Sequence, residues 1–145
     1  MSRFWGRLTI SQPFTVAYQT MLLDPQPDER ILEIGTGSGY QAAVISELGA
    51  RVFTVERIRG LYDKTALLLK RLGYRSVQTR FGDGREGWAS QAPFDGIIVT
   101  AGSPDVPPAL LEQLREPEDG AAGGRLIIPV GGPNEQQMQR ITRTG

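Results

Sequence analysis

The sequence contains no cysteine and no histidine, and both absences narrow the chemistry that its 145 residues can carry out. Without cysteine, disulfides, thiolate metal sites and cysteine nucleophiles are excluded. Without histidine, the commonest general base near neutral pH and the commonest metal ligand are both missing. We therefore expect no metal site, and any catalytic mechanism must work without an imidazole.

An excess of charge of either sign is also missing, because sixteen basic residues balance sixteen acidic ones. A neutral chain has no general electrostatic attraction to nucleic acids or anionic membranes. No apolar run is long enough to cross a bilayer, and residues 1–13 lack the apolar core of a signal peptide. We expect a monomeric, cytoplasmic protein that binds neither nucleic acid nor membrane.

What the chain does have is the composition of an ordinary globular domain, with 39% hydrophobic and 22% charged residues. Its length is close to that of one domain with one core. We find no internal repeat and no break in composition. We expect a single domain over residues 1–145, with an N-terminal segment and helix over residues 1–29 and a sheet core over residues 30–145.

Periodicity predicts the elements of this domain. After Ser11, a helical stripe is formed by Phe14, Ala17, Tyr18, Met21 and Leu22. Further on, short apolar runs predict strands at 30–34, 51–55, 76–81, 94–100, 125–130 and, more weakly, 136–142. Helical stretches are predicted between them at 39–48, 59–72 and 106–114. The alternation indicates parallel strands with helices on both faces, which is a doubly wound α/β sheet.

The segment ILEIGTGSGY, residues 31–40, is the strongest local signal. Its glycines at 35, 37 and 39 follow a strand and precede a helix, so a ligand can approach bare backbone near the positive end of the helix. A dinucleotide fingerprint requires its last glycine where Tyr40 stands, and a phosphate-binding P-loop requires Gly-Lys-Ser/Thr where Tyr40-Gln41-Ala42 stands. The loop therefore fits neither phosphate site.

Three acidic residues lie in or next to the first three predicted strands: Glu33 lies within the first, Glu56 ends the second and Asp83 follows the third. The carboxyl edge of an open α/β sheet is where ligands bind. Acids there would repel a polyphosphate but favour a ligand with ribose hydroxyls, an ammonium and a sulfonium. The sequence thus predicts a nucleoside-type cofactor, S-adenosylmethionine, with Glu56 accepting from the ribose. The plainer alternatives are an edge acid at 33, a strand-ending surface charge at 56 and a turn at 83–84.

Six segments together resemble the protein-L-isoaspartate O-methyltransferases, which repair proteins damaged at aspartate and asparagine. These segments are TISQP at 9–13, LEIGTGSGYQ at 32–41, ERI at 56–58, GDG at 82–84, APFD at 92–95 and GRLIIPVG at 124–131. The glycine loop alone indicates a class I methyltransferase with a Rossmann-like sheet. The TISQP segment is particular to the repair enzyme.

The resemblance implies a role for several residues. Ser11 would be the active-site serine beside the methyl group and the substrate carboxylate, a role compatible with capping the first helix. Thr9 and Ile10 would cover the cofactor, Glu56 would hold the ribose, and Thr100 with Ala101 would floor the pocket. The cofactor-binding residues implied are Thr9, Ile10, Glu33, Gly35, Thr36, Gly37, Gly39, Glu56, Arg57, Asp83, Gly84 and Thr100.

The implied reaction transfers the methyl group of S-adenosylmethionine to an isoaspartyl carboxylate of a damaged protein, leaving S-adenosylhomocysteine. Such a carboxylate has a pKa of about 4 and is already an anion, so no general base is required. Family members extend further at both ends, and we expect this chain to lack some terminal elements. The alternatives are a truncated relative that binds the cofactor or a protein partner without turnover, and a class I methyltransferase acting on a small molecule.

Overall fold

The computed structural model describes residues 2–7, 12–132 and 134–144, and for 2–7 and 12–15 the backbone alone. The strands are β1 (Ser2–Arg7), β2 (Arg30–Ile34), β3 (Arg51–Glu56), β4 (Gln78–Phe81), β5 (Gly96–Val99), β6 (Arg125–Gly132) and β7 (Glu135–Thr142). The α-helices are α1 (Gln12–Leu23), α2 (Tyr40–Glu47), α3 (Arg59–Arg71) and α4 (Pro108–Glu112). Two 3-10 turns, Gly84–Glu86 and Ala89–Gln91, lie between β4 and β5. Within the described ranges, no helix is both long and apolar enough to cross a bilayer.

All the strands belong to one seven-stranded sheet in the order β1-β7-β6-β5-β2-β3-β4. Strands β2 to β6 are parallel, and the crossovers on either side of β2 are those of a doubly wound fold. Strand β7 returns antiparallel to β6, and β1 pairs antiparallel with β7. The predicted fold class, a mostly parallel Rossmann-like sheet, is confirmed.

Two apolar clusters cover the two faces of this sheet. On one face, strand residues such as Ile31 pack against α1, α2 and α3, which contribute Leu23, Ala42, Ile45 and Leu69. On the other face, Leu32, Phe53 and Ile97 pack against α4 and the loops, which contribute Leu110 and Phe94. Neighbours such as Ile31 and Leu32 therefore point to opposite faces, and this two-sided burial explains why the central strands are rich in apolar residues.

The predicted elements lie within a few residues of the observed ones, with two notable differences. The predicted helix at 106–114 is confined to α4, which begins after Pro107 and ends at Glu112. Strand β1 was not predicted, since residues 1–29 were expected to hold only a segment and a helix. Its six residues pair with β7 at the far end of the chain, so no local pattern announces it.

Helix α1 runs antiparallel to β5 and extends beyond the carboxyl edge of the sheet. Its Gln19 donates from Nε2 to the carbonyl of Val99, the last residue of β5, at 2.9 Å. Its last residue, Leu23, packs on Gly96, the first residue of β5. The seven residues of α1 before Gln19 continue in the direction of the carboxyl edge, at 1.5 Å per residue.

Candidate functional site

The loop between β2 and α2 is shaped by three glycines with positive φ, of +95° at Gly35, +55° at Gly37 and +84° at Gly39. L-residues with a side chain rarely adopt these angles. At Gly35, an added Cβ would also lie 2.4 Å from Thr100 Oγ1. The bare backbone at Gly35 lets Thr100 approach, and Thr100 Oγ1 donates to the carbonyls of Ile34 and Gly35 at 3.0 Å. The end of β5 is thereby fixed against the start of the loop.

The middle of the loop is held through both backbone groups of Gly37. Its N–H donates to Glu56 Oε1 at 3.0 Å, and its carbonyl accepts from Thr65 Oγ1 at 2.7 Å. Glu56 ends β3 and Thr65 lies on α3, so two different elements hold one residue. The loop is therefore organised before any ligand arrives.

Glu56 is oriented so that it can accept further hydrogen bonds. Its second carboxylate oxygen, Oε2, accepts from the backbone N–H of Ile58 at 2.9 Å. Each carboxylate oxygen can accept two hydrogen bonds, so one position remains on each for the two hydroxyls of a ribose. Only 4% of Glu56 is exposed, which limits the competition from water.

A second acid, Glu33, lies on β2 directly before the glycine loop. Its side chain is fully buried. Its Oε1 accepts from Thr54 Oγ1 at 2.7 Å, and Thr54 Oγ1 is 2.6 Å from Thr36 Oγ1. Its Oε2 has no hydrogen-bond partner among the described residues. Burial, opposed by the Thr54 hydrogen bond and reinforced by the charge of Glu56, raises the pKa of Glu33 to about 8. At neutral pH this side chain is therefore mainly a neutral acid.

On the far side of the loop, the turn after β4 closes against β2. Asp83 accepts from the backbone N–H of Arg85 at 2.9 Å and so caps the 3-10 turn. Gly84 packs directly on Ile34, whose Cγ2 would lie 2.2 Å from a Cβ at position 84. The Arg85 guanidinium donates to Ser103 Oγ at 3.1 Å and to Asp105 at 2.8 Å.

A cleft of about 280 Å³ opens at the carboxyl ends of β2, β3 and β5. It joins a second compartment of about 190 Å³ through shared walls at Ile34, Arg57, Gly84, Val99 and Ala101. Together the two compartments approach the size range of small-molecule sites. A larger cavity of about 480 Å³ lies between α2 and α3, but its lining is mostly apolar and its only acid is Glu47. The polar geometry therefore favours the cleft at the sheet edge.

The structure divides the predicted cofactor residues into two groups. Those that line the cleft or its neighbouring compartment are Gly35, Gly37, Glu56, Arg57, Asp83, Gly84 and Thr100. Those that support the loop from behind or beside are Glu33, Thr36 and Gly39. Thr9, Ile10 and Ser11 lie outside the described residues.

Thr54 and Thr65, which hold the glycine loop, were not predicted. Thr54 is the lone hydroxyl in the apolar run of β3, and Thr65 follows the charged pair Asp63-Lys64, so neither belongs to a motif that the sequence shows. No group of three or more acidic side chains suitable for a metal ion occurs in the described ranges.

The sequence profile of the family described as protein-L-isoaspartate(D-aspartate) O-methyltransferase matches residues 4–145. The chain belongs to this family. The resemblance drawn from the motifs is thus confirmed, and the family's name applies to almost the whole length of the chain.

Individual members of the family are similar to this chain over most of its residues. Protein-L-isoaspartate O-methyltransferase from Salinibacter ruber is 60% identical over 139 residues, which are 94% of this chain and 60% of the relative. The Geobacter metallireducens enzyme is 55% identical, over 93% of this chain and 60% of the relative. The chain therefore spans about 60% of the length of these relatives.

Solved structures agree on the fold. A protein-L-isoaspartate O-methyltransferase structure superposes with a TM-score of 0.82 and 31% identity, over 93% of this chain and 42% of the other. A Plasmodium falciparum protein of the same enzyme class, solved with S-adenosyl-L-homocysteine, gives a TM-score of 0.74 over 97% of this chain and 72% of its own. Its 22% identity supports the fold alone.

Proposed function

We propose that this chain binds S-adenosylmethionine in the cleft and transfers its methyl group to the free carboxylate of L-isoaspartyl residues in damaged proteins. The observation that carries the proposal is the cleft itself, where Gly37 and Ile58 orient the Glu56 carboxylate. That carboxylate is matched to vicinal hydroxyls, and the family membership supports the rest. Residency in the cytoplasm and a monomeric state stay predictions from the sequence.

The donor set suits a cationic nucleoside. Glu56 would hold the ribose hydroxyls, and Asp83 with Gly84 would border the base. The bare backbone of Gly35 and Gly37 would admit the aminoacyl part of the ligand. S-adenosylmethionine, when bound, supplies an electrophilic methyl group and a positive charge that the nearby acids favour.

The chain's own residues have little proton transfer to perform. An isoaspartyl carboxylate is ionised at neutral pH, since its pKa is about 4. The protein therefore has to orient the acceptor and exclude water, and α1 extends over the edge where that must happen. Arg7 pairs with Gln137, which lies opposite Val130 near the carboxyl end of β6, and Gln12 begins α1. In the sequence, the TISQP motif begins between Arg7 and Gln12, which supports a role for Ser11 at the acceptor.

A transfer assay tests the proposal. Labelled S-adenosylmethionine is incubated with an isoaspartyl peptide and with its aspartyl twin, and base-labile methyl ester is counted. We expect ester from the isoaspartyl peptide. In Glu56→Gln, we expect the KM for S-adenosylmethionine to rise about tenfold or more, because charge-assisted hydrogen bonds are lost. Glu118→Gln, in an exposed loop, serves as the matched control. Ser11→Ala should lower turnover more than cofactor affinity. Equal transfer to both peptides would defeat the proposal.

A second candidate is cofactor binding without turnover. It is favoured by the described polar contacts, which lie on the nucleoside side of the cleft. Calorimetric binding of S-adenosylhomocysteine with no transfer to the isoaspartyl peptide would support it. Transfer to a small carboxylic acid in place of the peptide would instead indicate a small-molecule methyltransferase.

A further inference from the structure

Three buried side chains form a continuous polar chain behind the glycine loop. Glu33 on β2 and Thr54 on β3 are paired in the parallel register, so both point to the same face of the sheet. Thr54 Oγ1 lies 2.7 Å from Glu33 Oε1 and 2.6 Å from Thr36 Oγ1 in the loop. Glu33 and Thr54 have no exposed surface, and Thr36 is 6% exposed. Water therefore cannot easily replace any of these contacts.

Thr54 occupies the central place in this chain because its one hydroxyl serves both neighbours. A hydroxyl donates one hydrogen bond and accepts up to two. When Thr54 donates to Glu33, Thr36 donates to Thr54; when Glu33 donates its own proton to Thr54, Thr54 donates to Thr36. The chain is complete in either direction, and without the Thr54 hydroxyl both neighbours would be left without that partner.

The loop next to Thr36 carries the contact that orients Glu56. Gly37 follows Thr36 directly, and its N–H holds Glu56 Oε1. A shift of Thr36 would therefore move Gly37 and turn the carboxylate that faces the cleft. The carbonyl of Gly37 is held separately by Thr65, so the loop has one support that does not depend on Thr54.

We propose that Thr54 is a positioning residue, which acts through Thr36 to hold the glycine loop in the conformation that receives the nucleoside ligand. The ligand's identity rests on the proposed function, whereas the state of the loop does not. The two are therefore measured separately.

The first measurement concerns the loop in the ligand-free protein. Amide hydrogen exchange is compared for residues 35–39 in the wild type, Thr54→Val, Thr54→Ser and Thr79→Val. Thr79 is paired with Thr54 on the neighbouring strand and is half-buried. Thr79→Val therefore removes a threonine hydroxyl that lies next to the hydrogen-bonded chain of Glu33, Thr54 and Thr36 but is not part of it. We expect exchange at the loop to be about tenfold faster in Thr54→Val and unchanged in Thr79→Val, with Thr54→Ser close to the wild type. Unchanged exchange in Thr54→Val would overturn the proposal.

The second measurement is the Kd for S-adenosylhomocysteine by calorimetry, well below the melting temperature of each variant. Unpaired buried groups make about a ten- to hundredfold weaker Kd the expected result for Thr54→Val, with recovery in Thr54→Ser. A purely structural role would lower the melting temperature and leave the Kd of the folded protein unchanged, and that result would also overturn the proposal. If the wild type does not bind this ligand, the proposed function fails while the exchange measurement still decides the role of Thr54.

A variant on the loop side keeps the test decisive if Thr54→Val does not fold. Thr36→Val breaks the same hydrogen bond from its other end and should produce the same change in loop exchange. Where both single variants fold, the double variant should be little worse than Thr54→Val, because both substitutions remove the Thr36–Thr54 bond. Fully additive effects would contradict the shared bond.

Discussion

Glu33 places an ionisable carboxyl group where water does not reach it, close enough to the acid Glu56 to feel its charge. Burial raises the pKa of Glu33 to about 8, so the folded protein binds a proton there that the unfolded chain has released above pH about 4.5. The folded state is then stabilised by low pH relative to high pH at this residue. A buried acid of this kind is more easily explained by a polar task than by packing.

Glu33→Gln tests this directly, because glutamine has the same shape and cannot ionise. As pH rises from about 4.5 to about 8, the wild type should lose stability relative to Glu33→Gln, up to a ceiling of about 5 kcal/mol set by the pKa shift. Below pH 4.5 the advantage of the variant should vanish. Urea unfolding at pH 4.5, 6.5 and 8.5 measures it, with Glu118→Gln as an exposed control. A stability difference that does not change with pH would show that Glu33 is not neutral in the folded protein.

Among the residues of the site, the glycines and the acids could be predicted from the sequence, whereas the residues whose role depends on tertiary contacts could not. The glycines at 35, 37 and 39 and the acids at 56 and 83 stand out because spacing alone places them at a strand end. Thr54 and Thr65 do not stand out, because their partners Thr36 and Gly37 lie 18 and 28 residues away. In the sequence, a buried threonine cannot be told from an ordinary residue of the core. The positions of the acids could be predicted, whereas the hydrogen bonds that orient them could not.

Helix α1 owes its position to one buried arginine at its C-terminal end. Arg125 donates from Nε to the carbonyl of Leu23 at 2.7 Å and from Nη2 to that of Asp24 at 2.8 Å. The last carbonyls of a helix have no partner within the helix, so these bonds satisfy them. Arg125 also makes two bonds to Glu29, at 2.7 and 2.8 Å. Because Gln19 of the same helix contacts Val99 at the end of β5, the bonds to Arg125 hold both ends of this helix–strand contact in place.

Arg125→Met should therefore destabilise the protein by about 3 kcal/mol, because it leaves Glu29 and the carbonyls of Leu23 and Asp24 without their partner in a site that is largely buried. Arg59→Met is the matched control, since the Arg59–Asp63 pair is mostly exposed and such pairs contribute about 0–1 kcal/mol. Urea unfolding measures both. Equal effects of the two substitutions would mean that Arg125 is not an anchor for α1.

Element prediction succeeded where the pattern is local and failed where the partner is distant. Strands β2, β3 and β6 begin at their predicted residues because their apolar runs are buried on both faces. Strand β1 contains only two large apolar residues, and it exists because β7 offers an unpaired edge. A strand defined by an edge more than a hundred residues away leaves no periodicity to detect.

Over the whole molecule, the cleft joins elements that are distant in sequence into one seven-stranded sheet. Its walls come from the ends of β2, β3 and β5 and from the turn after β4, so a ligand there contacts residues from 34 to 101. The division into a single domain over residues 1–145 stays a prediction. What the common sheet does imply is that ligand binding and global unfolding are linked, because unfolding separates the walls of the cleft.

S-adenosylhomocysteine at a hundred times its Kd should raise the free energy of unfolding by about 2.7 kcal/mol. For a chain of this size that corresponds to a rise in melting temperature of about 5–10 °C. Glu56→Gln should show a smaller rise at the same ligand concentration, because the carboxylate oriented by Gly37 and Ile58 loses its charge, while Glu118→Gln should match the wild type. A thermal shift series with increasing ligand measures all three proteins. No rise at saturating ligand would show that the nucleoside does not bind in the cleft. An undiminished rise in Glu56→Gln would show that the ligand binds away from β3.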